Sequence, residues 1–171
     1  MRFIPGNSAP RPLDLAMPAS ASAAWAPLFL RAMVGFGLVM HGYAKLARGP
    51  ETFAVVLHTL GVPLPGLLAW LTTIVELIGG IAVLAGAFLP LVSIPLAIVL
   101  MTALFTVHRP YGFFSVKLVA VTSTGTTFGP VGYEIVLLYL AALAALALGG
   151  AGPLSVDRWR AHARVRRLRH G

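Results

Sequence analysis

The sequence predicts an all-α membrane protein: a transmembrane four-helix antiparallel bundle with a short interfacial helix after the first span. Three observations carry that prediction. Hydrophobic residues make up 58% of the 171 and charged residues only 11%, against roughly 25% charged in ordinary soluble domains. A soluble fold of this size cannot hide so much apolar surface. The apolar residues also gather into four runs close to the ~20 residues that a bilayer demands. Finally, those runs lack strand-like alternation, and only helices and closed barrels satisfy their own backbone groups in lipid.

Residues 1–24 come first, with Pro5, Pro10, Pro12 and Pro18, and read as a flexible N-terminal arm. The arm lacks the apolar core of a cleavable signal. The run after Trp25 is too long for one and carries Arg31, so the arm is expected to be retained. A single domain over residues 25–150 follows. Its first span runs from about Ala26 to Lys45 and contains Gly35, Gly37 and Gly42. The segment ETFAVVLHTL is too short to span and predicts an interfacial helix, broken by Pro63 and Pro65. The second span covers about Leu67 to Phe88. Leu89 and Pro90 form a short turn, and the third span covers about Leu91 to Val107 with Pro95 in its first turns. HRPYGFFSVKLVAVTSTGTTFGPVG reads as an outer loop, partly re-entrant. The fourth span covers about Tyr133 to Leu148, GGAGP stops it, and residues 151–171 form a basic C-terminal tail.

The net charge is +8, and six of the basic residues lie in that tail: Arg158, Arg160, Arg164, Arg166, Arg167 and Arg169. A basic segment directly after an apolar span faces anionic headgroups more often than nucleic acid. An even number of spans puts both termini on one side, and the tail arginines make that side cytoplasmic. There are no cysteines. Thiol redox relays, covalent haem attachment and cysteine-ligated clusters are therefore excluded for this chain.

Charges at membrane depth cost about 3 kcal/mol or more, so they usually have partners or tasks. Glu76 lies about ten residues from the outer end of its span, hence roughly 15 Å deep. His41 falls at similar depth on the neighbouring span, with Lys45 one turn above it on the same face. His108 and Arg109 close the outer end of the third span, and Glu134 opens the fourth. These six residues are expected to converge in the outward half; Arg31 lies toward the other end. Glu76, His41 and His108 are the candidate acid–base residues. Arg31, Lys45, Arg109 and Glu134 are the candidate substrate-binding charges. Each also has a plainer role available: snorkelling for Lys45 and Arg109, a helix-dipole interaction for Glu134, and an internal ion pair for Glu76. No metal site is expected, because the spans hold no cysteine and no second histidine pair. The glycines are read as packing sites.

The runs LRAMVGFGLVMHGYAKL, LGVPLPGLLAWLTTIVELIGGIAVLAGAFLP, MTALFTVHRPYGFF and GYEIVLLYLAALAALALGGAGPLSVD together resemble the DoxX family of small bacterial four-helix membrane proteins. The resemblance covers about residues 28–157. It implies a bacterial inner-membrane location and, by analogy with relatives in thiosulfate:quinone oxidoreductases, a quinone-associated subunit of a membrane oxidoreductase. Quinone is then the candidate cofactor. Membrane lipids, a soluble or membrane redox partner and a second copy of the chain are the candidate partners. Two other readings stay open: a small-molecule or proton-coupled transporter, and a non-catalytic scaffold for a redox partner.

Overall fold

The computed structural model describes residues 23–170, so the reading of an N-terminal arm lies almost wholly outside the described residues. Helix α1 spans Ala26–Arg48 and ends at Gly49, whose φ of 84° suits glycine. Helix α2, Pro50–Thr59, begins on a proline, where the missing N–H costs nothing. It is the short helix expected after the first span. A turn through Gly61 leads to α3, Pro65–Ala85. Helix α4 is Leu89–Ala103 and contains Pro95. It continues through a π-helical turn, Leu104–His108, into a 3₁₀ turn, Arg109–Tyr111. Helix α5 is Glu134–Gly149 and α6 is Val156–His170.

Three segments differ from the sequence reading. Leu89 and Pro90, expected as a turn, open α4, and the turn falls at residues 86–88, where Gly86 has a left-handed backbone. Between α4 and α5 the chain forms an antiparallel hairpin, β1 Leu118–Thr122 with β2 Gly125–Phe128, instead of an irregular loop. The basic tail is a helix, α6, packed by its first turn against the rest of the molecule.

Helices α1 and α3, and α4 together with its π and 3₁₀ turns (Leu89–Tyr111), are each long and apolar enough to cross a bilayer; α5, at 16 residues, is a shorter apolar helix. Helix α1 packs along α3, α3 against α4, α4 against α5, and α5 back against α1. Lipid supplies no hydrophobic drive for helices to associate, so close fit must do so. Gly35 and Gly80 show that fit: a Cβ on Gly35 would come within 2.8 Å of the Gly80 carbonyl oxygen, and one on Gly80 within 2.8 Å of the Val39 nitrogen. The core is Val34, Leu38, Val83, Leu89, Leu96, Leu143 and Leu146. Phe29, Met33, Phe36, Ile78, Leu91 and Ile98 point outward, as a lipid-facing surface requires.

At the α6 end the chain is knotted together. Asp157 accepts the backbone N–H groups of Phe88 (2.8 Å) and Leu89 (3.2 Å), which start α4. It thus caps a helix from 68 residues away in sequence. Its own N–H returns to the Gly86 carbonyl at 3.0 Å. Phe88 has a left-handed backbone, φ 52°, unusual for a bulky side chain. The Asp157 bond and the Arg160 guanidinium, 4.2 Å from the Phe88 ring centre, hold it there.

Candidate functional site

Glu76 sits on the inward face of α3, one turn from Thr73 and Gly80, and is 5% exposed. Its carboxylate pairs with the Lys45 ammonium, from the last turn of α1. Such a pair needs close geometry to offset the loss of water. Lys45 also lies 5.0 Å from the centre of the Phe53 ring, which α2 brings over the pair. Helix α2 therefore helps enclose this charge.

Two cavities meet at the pair. The first, about 360 Å³, is walled by Leu38, His41, Lys45, Phe53, Glu76, Leu100, Ala103, Val107, His108, Val131, Ile135, Val136 and Tyr139. The second, about 330 Å³, is an apolar groove along α3 and α4, from Leu68 to Glu76 on one side and Pro95 to Val107 on the other. Lys45, Phe53, Glu76, Ala103 and Val107 belong to both walls.

His108 reaches the first cavity because the π turn adds a residue to the end of α4; such bulges often mark functional positions. Its Nδ1 lies 2.9 Å from the Val131 carbonyl oxygen. A carbonyl only accepts, so Nδ1 carries the proton and Nε2 is left to accept one. His41 is exposed on α1 but contributes to the cavity wall, and its ring meets that of Tyr139 edge-on, 6.3 Å apart at 81°. His41, Lys45, Glu76 and His108 thus border one space.

The remaining candidates lie elsewhere. Glu134 accepts the Ser115 N–H at 3.0 Å while Ser115 Oγ accepts the Ile135 N–H at 3.0 Å. That reciprocal pair ties the segment after the 3₁₀ turn to the start of α5, and Glu134 does not line the cavity. Arg109 is exposed in the 3₁₀ turn. Arg31 lies at the α6 end, 2% exposed. Its Nη2 donates to the carbonyls of Pro153 (2.9 Å) and Leu154 (2.5 Å), and its buried Nε and Nη1 have no hydrogen-bond partner among the described residues.

Sequence reasoning missed Phe53 and Tyr139. Tyr139 had a usable signal: after Glu134 it is the one hydrogen-bonding side chain in α5. Among the described residues, no three His, Cys, Asp or Glu side chains gather as a metal-ligand set.

The arrangement offers a buried carboxylate, an ammonium, an oriented imidazole acceptor and a phenol around a space that continues into hydrocarbon. A family model described as DoxX matches residues 26–109. The match takes in Arg31, His41, Lys45, Glu76, His108 and Arg109, and ends before the hairpin, Glu134 and Tyr139. No curated protein and no solved structure matches the chain.

Proposed function

This chain belongs to the DoxX family of membrane proteins, and on that premise we propose that it is a quinone-associated subunit of a membrane oxidoreductase. The observation that carries the proposal is the position of the Lys45–Glu76 pair on the wall between an apolar groove and a cavity that also meets His41, His108 and Tyr139. A quinone has a polar ring and an apolar chain, and it exchanges two electrons and two protons with its surroundings. The residues present fit such a group. Lys45 and Tyr139 offer hydrogen-bond donors for ring oxygens. His108, its Nδ1 fixed on Val131, presents Nε2 as a proton acceptor. Glu76 takes or gives a proton as Lys45 shifts between carboxylate and ligand, and His41 links the cavity rim to the aqueous side. With no cysteine in the chain, the electrons belong to a partner subunit.

We further assign α5 as a fourth crossing, completing an antiparallel bundle in a bacterial inner membrane. The α6 arginines, with both termini, face the cytoplasm. The scaffold reading has one observation in its favour, since Glu76 already has a partner and could serve helix register alone.

One experiment separates the two. Protein purified in mild detergent is extracted and its quinone content measured, for the native chain and Glu76→Gln. The proposal expects roughly one quinone per one or two chains natively, and a large loss in the variant. Quinone-free native protein whose membrane electron transfer is unaffected by Glu76→Gln would leave the scaffold reading.

A further inference from the structure

The groove between α3 and α4 is more than surface relief. Its lining includes Thr72, Thr102 and Thr106, which at first sight make it half polar. Each of those hydroxyls is spent on its own helix. Thr72 Oγ1 donates to Leu68 at 2.8 Å, Thr102 to Ile98 at 2.9 Å, and Thr106 to Thr102 at 2.7 Å. What remains toward the groove is hydrocarbon, except at the end where Lys45 and Glu76 stand. From Pro95 to Val107 the groove follows α4 for roughly 18 Å, at the rise of an α-helix. Leu71 and Ile98 on its rims are exposed on the lipid-facing side. The other cavity bordering Lys45, about 250 Å³, runs past His41, Arg48 and Thr52, with Ala44, Phe53 and Val56 as its apolar lining, and is the smaller space.

We propose that this groove holds the hydrocarbon tail of the ligand whose headgroup occupies the cavity bordered by His41, His108 and Tyr139, so that the site selects a long-chain amphiphile entering sideways from the bilayer. This rests on the ligand reading above. The occupant is fixed by continuity: the groove shares Lys45, Phe53, Glu76, Ala103 and Val107 with the headgroup cavity. A molecule seated on the ion pair has hydrocarbon space on one side and acid–base groups on the other. The tail gains little from leaving lipid, because lipid is already apolar. Its contribution is shape and placement, fixing which end of the ligand meets Glu76.

The test uses the full chain in nanodiscs, with affinities expressed as mole fraction in the lipid. Binding of a long-chain isoprenoid quinone and of a tail-less quinone headgroup analogue is measured for the native protein and Val99→Trp, which fills the groove. The expected result is at least a tenfold loss for the long-chain compound in Val99→Trp and a change under twofold for the tail-less one. Equal effects on both, or none on either, overturn the groove assignment while native binding leaves the ligand reading intact. If the native protein binds neither compound, both fail. A measurement on the native protein covers the case in which the variant does not fold. A quinone with a photoreactive diazirine at the tail end should label residues 68–75 and 95–107, and excess long-chain quinone should suppress the labelling. Labelling spread over the outward residues of α1, such as Phe29 and Phe36, overturns the assignment.

Discussion

Helix α1 carries a cation toward each end, Arg31 buried and Lys45 partly buried, and the two are handled in opposite ways. Arg31 is enclosed at the α6 end and bonded to main-chain carbonyls of the segment after α5, with no carboxylate among its partners in the described residues. Gly86 makes room for it: a Cβ there would strike the guanidinium. Lys45, at the other end, is less enclosed, pairs with Glu76, rests on an aromatic ring and borders three cavities. The contrast teaches how to read an intramembrane charge. A cation satisfied by carbonyls in a packed knot holds elements together. A cation paired with an acid beside empty space is placed to exchange that acid with a ligand.

The largest effect should come from breaking the packed end. Arg31→Ala removes the bonds to Pro153 and Leu154 and leaves a hole against Gly86. We expect a loss of about 3–5 kcal/mol, combining the carbonyls left without their donor with the cavity left by a large buried side chain. Thermal unfolding in detergent checks this, and quinone binding by the folded fraction should be unchanged. Glu76→Gln comes next. Lys45 keeps a weaker neutral partner, so the stability loss should be about 1–3 kcal/mol. Here the ligand affinity should fall at least tenfold. Asp157→Ala strips the cap from α4 and should cost about 1 kcal/mol, as other caps do, again without affecting ligand. Amide exchange at Phe88 and Leu89 should rise in that variant. The smallest structural effect belongs to Tyr139→Phe, under about 1 kcal/mol, with its consequence confined to ligand affinity. If Arg31→Ala abolished binding while Glu76→Gln spared it, the assignment of roles to the two ends would be reversed.

Much of this contrast could be read from the residues, but unevenly. The long apolar runs announced α1, α3 and α4, and Pro63 and Pro65 marked the end of α2. Hydropathy could not announce α6, whose arginines leave no apolar stripe; only its Arg and Ala helix preference speaks for it. The hairpin was also hidden. Its residues are all exposed, so no core imposed an alternating pattern, although Val and Thr flank the turn through Gly125. At the site, depth and the i, i+4 relation placed His41, Lys45 and Glu76 in one neighbourhood. The choice of Lys45 as the partner of Glu76 depended on how α1 and α3 approach through their glycines, which no local spacing encodes. Arg31 was the least legible. Its acceptors are backbone carbonyls 122 and 123 residues away, and a carbonyl has no sequence signature. The π turn likewise left no motif, yet it decides where His108 points.

The most direct test of the central claim is ligand-induced thermal stabilisation, measured in parallel for the native protein, Arg31→Met and Glu76→Gln. Free long-chain quinone is supplied at about a hundred times its dissociation constant, which should stabilise a binding protein by about 2.7 kcal/mol. The account predicts that full increment for the native chain and for Arg31→Met, whatever the variant's starting stability, and no more than about 1.4 kcal/mol for Glu76→Gln, the increment left by a tenfold loss of affinity. An equal increment in all three would contradict it, because the Lys45–Glu76 pair would then be only another internal tie.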